Sequence, residues 1–374
     1  MKLLKTLILS LVLISTSANT LLAHESPNIV VSIKPLHSLV ASVMGDKGNP
    51  QLLLESNASP HTYQMRPSQA KALQDADLVI WVGKYMENFL ARAVENISTD
   101  ATVLTLEEAQ GIHRLPFREG GIWGIEKHHD HEEHHDHDEE KHDSHGHEED
   151  NHSEDGHAAK EHDEHEHAAK EHDDHDHDQG HDDHGHDDHG HEEHDHDHHD
   201  HGEFDVHIWL DPDNARRIVE ILANELTIMD PDHADIYSQN AKTTIQRIDE
   251  TEESIKKQLS SINQDRFVVF HDAYRYFEEA FGIEAFGSFT VEPTRLPSAR
   301  RLSELREAIN HHNVVCVFSE PQFKPDLVET VIEQTGAKTG ILDPLGAGLD
   351  QGPDAWFMIM QRLADSLTDC LGTA

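Results

Sequence analysis

Residues 128–201 cannot contribute to a folded core, and this constrains the fold more than any other feature of the sequence. The stretch holds 27 histidines, 31 aspartates or glutamates and three lysines, and its only apolar side chains are four alanines. Such a composition buries too little apolar surface to offset the entropy of ordering the chain. We therefore predict a disordered, acidic, histidine-rich loop, so the core must come from the residues on either side.

Outside this loop, short β-branched runs alternate with helical patterns. On the N-terminal side, "NIVVSIKPL" (residues 28–36) and "DLVIWVG" indicate buried strands, and "HSLVASVMG" indicates a helix that ends at Gly45. On the C-terminal side, "RFVVFHDAY" and "NVVCVFSEPQF" indicate further strands, each followed by a helical pattern. This alternation is typical of α/β folds with mainly parallel sheets. We predict two α/β lobes, with the loop inserted into the first of them.

A long glycine-free stretch separates the two lobes and predicts one exposed helix between them. A shorter helix should precede it, with Asp211 as its N-cap and Pro212 in its first turn. The expected organisation is a signal peptide, an N-terminal lobe that contains the loop 128–201, a linker helix and a C-terminal lobe, with boundaries at residues 1–23, 24–230, 231–262 and 263–374.

The N-terminus has the pattern of an export signal. Lys2 and Lys5 precede an apolar run, Leu7–Ile14, and Ala23 ends a plausible cleavage site. The alternative is a membrane anchor, but the run is shorter than the roughly 20 residues that a spanning helix needs. The residues directly after the cleavage site include no lipobox cysteine, so we expect a soluble periplasmic protein and not a lipoprotein.

The chain has two cysteines, Cys316 and Cys370. In an exported protein such a pair favours one disulfide over two buried thiols. A thiolate metal site is disfavoured, because neither cysteine belongs to a Cys-x-x-Cys pair.

Three histidines follow predicted strands or stand at the start of loops: His61 in "SPHTYQMRPS", His207 in "DVHIWLDP" and His271 in "VVFHDAYRYF". Ligands of open α/β sheets bind at the carboxyl ends of the strands. Three converging imidazoles would suit Zn²⁺, with a fourth position for water or for a carboxylate such as Asp343 in "ILDPLG". Spacing alone does not establish convergence, and each histidine could equally be a surface or structural residue.

Several motifs in order resemble one family. "SPHTYQMRPSQAKALQDADLVIWVG", "HIWLDP", "VFHDAYRYF", "CVFSEPQF" and "LDPLG" are similar to motifs of the zinc-specific periplasmic solute-binding proteins of bacterial ABC importers, the ZnuA type of the cluster A-I metal-binding proteins. The resemblance implies two Rossmann-like lobes joined by a long rigid helix, with the metal cleft between them. It implies that His61, His207 and His271 bind zinc and that Cys316 and Cys370 form a disulfide.

The sequence departs from this family at one position. Some relatives carry a glutamate immediately before the first histidine, where this chain has Pro60. The fourth ligand would then be Asp343 or water. Manganese-selecting relatives have glutamate where this chain has His271, and three imidazoles suit zinc better than manganese. The Irving–Williams order still predicts that copper or nickel can bind in vitro.

The loop 128–201 has two interpretations. Closely spaced imidazoles beside carboxylates can share metal ions, which predicts a low-affinity zinc collector. The alternative is a solvated loop that only aids solubility. The candidate secondary ligands are at its C-terminal end: His194, His196, His198, His199 and His201.

We therefore predict a zinc-binding subunit that passes Zn²⁺ to the inner-membrane permease of an ABC importer, and not an enzyme. The alternatives are a zinc hydrolase, for which Glu320 is the carboxylate to inspect, and a passive periplasmic zinc buffer. The formal net charge of −44 argues against nucleic acid as a partner. We expect a monomer, with a periplasmic zinc chaperone as a further candidate partner.

Overall fold

The computed structural model describes residues 26–55, 58–98, 100–118, 203–260, 262, 266–290, 293, 297–324, 326–333 and 335–372. The predicted signal peptide 1–23 and the predicted loop 128–201, with its five candidate histidines, lie outside these residues. Within them, no helix combines the length and the apolar character needed to cross a membrane.

The N-terminal half of the fold contains a four-stranded parallel sheet of order β2-β1-β3-β4. Its strands are β1 (Ile29–Val31), β2 (Gln51–Leu52), β3 (Leu78–Trp81) and β4 (Thr102–Thr105). Its helices are α1 (Lys34–Met44), α2 (Pro67–Gln74) and α3 (Asn88–Asn96). The two central strands are buried along their whole length, as expected for a parallel sheet covered on both faces.

The first predicted strand was too long. It was expected to reach Leu36, but β1 ends at Val31 and α1 already begins at Lys34. Pro35 lies in the first turn of α1, where a missing N–H costs no helical hydrogen bond. The end of this helix at Gly45 was predicted correctly, because a glycine there can adopt the observed φ of 60°.

Two long helices follow the undescribed segment 119–202. Helix α4 (Pro212–Met229) has the predicted N-cap, since Asp211 accepts a hydrogen bond from the Asp213 amide at 2.8 Å. Helix α5 (Ala234–Leu259) runs for 26 residues and packs against α4 and α1. It buries one face, which includes Tyr237, Ile248 and Ile255.

The C-terminal half repeats the parallel arrangement in a second sheet of order β6-β5-β7-β8. Its strands are β5 (Phe267–His271), β6 (Gly287–Thr290), β7 (Cys316–Ser319) and β8 (Lys338–Ile341). Its helices are α6 (Arg275–Phe281), α7 (Ala299–His311), α8 (Asp326–Ile332) and α9 (Ala355–Leu371). The predicted fold class of two parallel α/β lobes is confirmed, while the boundaries proposed for the lobes along the chain stay predictions.

One hydrophobic core runs through both halves. It includes Val31 of β1, Phe318 of β7 and Trp356 of α9. Trp356 also links the halves by hydrogen bonds, because its amide donates to Ser38 Oγ at 2.9 Å and its indole donates to the Trp209 carbonyl at 2.8 Å. The shared core and these hydrogen bonds therefore fix the position of one sheet relative to the other.

The two cysteines form a disulfide, as predicted. Cys316 on β7 and Cys370 near the end of α9 are bonded, with their Cα atoms 6.1 Å apart. The bond ties the last helix to the centre of the second sheet.

Candidate metal centre

The three predicted histidines come from three separate elements. His61 lies in the loop between β2 and α2, in a turn where the Thr62 amide donates to the Ser59 carbonyl at 3.2 Å. His207 begins a short turn that leads into α4, and its carbonyl accepts from the Leu210 amide at 3.1 Å. His271 is the last residue of β5. Two of the three thus follow the carboxyl ends of parallel strands.

The fold brings these three side chains together. One ring nitrogen from each of His61, His207 and His271 lies within 4.8 Å of the others. His207 Nε2 and His271 Nε2 are 3.3 Å apart. Two nitrogens bound tetrahedrally to one zinc at about 2.0–2.1 Å would be separated by roughly 3.3 Å. Among the residues that the structure describes, this is the only group of three or more histidine, cysteine or carboxylate side chains with such spacing.

Buried carboxylates orient two of the histidines. Asp205 Oδ1 lies 2.7 Å from His207 Nδ1 and also accepts the His207 amide at 2.9 Å. Glu320 Oε1 lies 2.6 Å from His271 Nδ1. A carboxylate accepts the Nδ1 proton, which leaves the Nε2 lone pair of each ring free to bind metal. Each of these four residues is at most 4% exposed.

His61 supplies the third imidazole of the group. Its Nε2 atom is buried and has no hydrogen-bond partner among the described residues. Burial lowers the pKa of the His61 imidazole well below its usual value, and the neighbouring His207 and His271 lower it further. The ring is therefore neutral at physiological pH, which is the form that binds metal. A buried nitrogen without a partner is costly unless a ligand satisfies it.

The space between the rings suits one small ion. The cavity has a volume of about 10 Å³, close to the minimum for a single water. Apart from the histidines and Glu320, its wall is mostly apolar and consists of Ser59, Met86, Trp209, Gln322, Phe323, Pro344 and Leu345. The two carboxylates bonded to His207 and His271 place acidic groups beside this enclosed space, which suits a dipositive ion.

The structure does not place Asp343 in the metal-ligand group. Its carboxylate accepts hydrogen bonds from Gln322 Nε2 at 2.8 Å and from the amides of Leu345 at 3.1 Å and Gly346 at 3.0 Å. These contacts organise the loop that presents Pro344 and Leu345 to the cavity. Asp343 therefore shapes the wall of the site, and its oxygens are already used within the chain.

The structure gives two carboxylates, Glu320 and Asp205, roles that the sequence did not predict. Glu320 was considered as the base of a hydrolase, but it is bonded to His271 Nδ1. Asp205 was not singled out at all. The available signal was the short spacing in "DVH", since an aspartate two residues before a histidine can reach the imidazole of that residue and its amide.

Comparisons with known proteins identify the family of the chain. The family model described as zinc-uptake complex component A, periplasmic (ZnuA), matches residues 29–370. A relative from Brucella abortus (strain 2308), named high-affinity zinc uptake system protein ZnuA, is 42% identical over 99% of each chain. One of the same name from Paracoccus denitrificans (strain Pd 1222) is 38% identical over 93% of each chain.

Solved structures share the fold at lower identity. The alignment with a crystal structure of ZnuA covers 93% of this chain and 100% of the ZnuA chain, with a TM-score of 0.63 and 20% identity. The periplasmic zinc-binding protein TroA from Treponema pallidum has a TM-score of 0.64 at 16% identity, with coverage of 93% and 100%. At this identity the likeness establishes the two-lobed fold alone.

Proposed function

Because this chain belongs to the ZnuA family of periplasmic zinc-uptake components, we propose that it captures Zn²⁺ in the periplasm and delivers it to the permease of an ABC importer. The observation that carries the proposal is the convergence of three imidazoles, two of them buried, with two Nε2 atoms at the separation that one zinc ion requires. The relatives named as zinc-uptake proteins match almost the whole chain.

In this proposal Zn²⁺ is the cargo, and His61, His207 and His271 supply three nitrogen ligands. The fourth position falls to water, since Pro60 carries no donor and Asp343 is engaged in its own loop. An all-imidazole set favours zinc over manganese, which prefers oxygen ligands. Asp205 and Glu320 hold the rings in place and offset the charge of the ion.

The family is one of solute-binding proteins and not of enzymes. The site agrees with that role. A zinc hydrolase needs a base beside the metal-bound water, whereas both buried carboxylates near the site are bonded to the outer nitrogens of the histidines.

We propose that zinc leaves by a local movement and not by wide separation of the lobes. The continuous core and the hydrogen bonds of Trp356 join the two halves. His61 stands on a loop, and its ring is not held by a carboxylate in the described structure. Displacement of this loop would remove one ligand and open the site with little loss of core packing.

The segment 128–201 acts, in this proposal, as a low-affinity zinc collector that raises the supply of metal near the cleft. Its composition supports this role, since carboxylates alone would be enough for solubility. Binding there should weaken as the pH falls below about 6.5, because only neutral imidazole binds metal.

A zinc titration in competition with a chelator tests these assignments. The chain without residues 1–23 is compared with the same chain lacking 128–201, and with the variants His61→Ala, His207→Ala and His271→Ala. His233→Ala is the matched control, because His233 also pairs with a buried aspartate but lies away from the cleft. Manganese serves as the control metal.

We expect one tight zinc site in the full chain and in the deletion variant, with fewer weak sites in the latter. Each cleft variant should lose the tight site, and His233→Ala should keep it. If tight binding disappears with residues 128–201 and survives in the cleft variants, the proposed site is wrong.

A further inference from the structure

The chain enters and leaves the segment 119–202 through two adjacent stretches, which we call the stem (residues 115–118 and 204–205). Pro116 and Phe204 form an antiparallel bridge. The Asp205 amide donates to the Leu115 carbonyl at 2.8 Å. The stem therefore ends two residues before the candidate ligand His207.

Tyr276 of helix α6, in the second half, bonds to both stretches of the stem through its hydroxyl group. Tyr276 Oη accepts a hydrogen bond from the Leu115 amide at 3.0 Å and donates to the Asp205 carbonyl at 2.9 Å. The Tyr276 side chain is 1% exposed. This hydroxyl thus fixes the backbone of the residue whose carboxylate orients His207.

Arg118 makes a second connection from the stem to the second half. Its guanidinium donates from Nε to Asp272 Oδ2 at 3.1 Å and from Nη2 to Asp272 Oδ1. It also donates from Nη1 to Glu278 Oε2 at 2.8 Å. Both carboxylates are almost fully buried. Asp272 is the residue immediately after His271, so this bidentate ion pair between Arg118 and Asp272 fixes the end of β5.

We propose that Tyr276 and Arg118 are positioning residues that hold His207 and His271 at the separation zinc needs and thereby set how slowly zinc leaves. The inference rests on the proposed zinc site. Tyr276 acts through Asp205 on His207, and Arg118 acts through Asp272 on His271. Neither side chain is assigned any contact with the metal.

The physical reason is preorganisation. Ligands that are already in place lose little entropy when the ion binds, and a misplaced ligand weakens every bound state. Outer-shell partners of metal ligands typically change affinity 10- to 100-fold. More remote positioning groups should have a smaller effect, and related complexes differ mostly in their dissociation rates.

The experiment measures zinc release from the chain without residues 1–23, with residues 128–201 retained. The protein is loaded with one equivalent of zinc and mixed rapidly with excess chelator. Tryptophan fluorescence follows the cleft, since the Trp209 ring lies 5.3 Å from the His207 ring. Tyr276→Phe and Arg118→Lys should each release zinc about 3- to 10-fold faster, with association rates within about twofold of the unmodified chain.

Tyr237→Phe is the matched control for a general loss of stability. Tyr237 is also fully buried, and its hydroxyl donates to Asp230 Oδ2 at 2.6 Å, at the junction of α4 and α5. This variant should lower the thermal unfolding midpoint about as much as Tyr276→Phe does, yet release zinc at the unmodified rate.

Two results would overturn the inference: unmodified release rates in both stem variants, or equal acceleration in Tyr237→Phe. Failure of the underlying site would look different. In that case His207→Ala would bind and release zinc like the unmodified chain, whatever the stem variants do.

Discussion

Removing the charge of Asp205 should weaken zinc binding without removing a zinc ligand. Asp205→Asn keeps the shape of the side chain and one oxygen that can accept from His207 Nδ1 and from the His207 amide. What it loses is a unit of negative charge in a nearly dry site, where the residue is 2% exposed.

The size of the effect follows from the distances. With zinc about 2 Å beyond His207 Nε2, the carboxylate charge lies roughly 6 Å from the ion. At an effective dielectric constant of about 20, the attraction between them is about 5 kcal/mol. Only part of this attraction appears in the affinity, because the protein and solvent around the carboxylate rearrange when the ion binds, and outer-shell partners of metal ligands typically change affinity 10- to 100-fold. We therefore expect a 10- to 100-fold rise in Kd, or about 1.4–2.7 kcal/mol.

The assay is competition with a chelator, and Asp230→Asn is its control. Asp230 is equally buried and is bonded to His233 Nδ1 at 2.7 Å, but it lies away from the cleft. Asp230→Asn should lower the free energy of unfolding and leave the zinc Kd unchanged. An unchanged Kd in Asp205→Asn, or an equal rise in both variants, would refute the electrostatic reasoning.

Three further predictions concern stability and are read from urea unfolding. Replacing Cys316 and Cys370 by alanine removes a bond across 54 residues and should lower the free energy of unfolding by about 4 kcal/mol in the chain-entropy model, with no change in zinc affinity. Burial raises the pKa of Glu87 to about 7 from its ordinary value of 4.5. Its stabilising contribution is complete below pH 4.5 and should be lost as the pH rises through about 7, by up to about 3 kcal/mol; Glu87→Gln should remove this contribution and make the pH dependence shallower. Lys34 donates from Nζ to the Gly346 carbonyl at 2.6 Å and to a second carbonyl in the same loop, so Lys34→Met should cost about 1–3 kcal/mol.

Local sequence patterns were enough to predict most of the elements. The strand–helix alternation indicated parallel α/β lobes, and Asp211 followed by Pro212 marked the start of α4. The error at the first strand has a local cause as well, since Pro35 was taken as the end of a strand when it stands in the first turn of α1. In each case the information lies within a few residues of the element concerned.

Local sequence patterns predicted only part of the candidate site. The three histidines could be selected from strand ends and from the family resemblance. The carboxylate that holds His271 could not be assigned in this way, because Glu320 is 49 residues from His271 in sequence. Nor did the sequence show that Asp343, a candidate ligand, accepts hydrogen bonds from amides of its own loop. Arg118 gave no signal at all, although it binds two buried carboxylates.

The sequence by itself thus determined the fold class, the cysteine pair and three histidines that could bind zinc. Tertiary structure alone decided that His207 and His271, 64 residues apart, meet at 3.3 Å, and which carboxylates hold them. Periodicity and capping are set by neighbours along the chain, whereas coordination geometry is set by how two sheets pack across one core. That packing depends on many contacts distant in sequence, and no short motif records it.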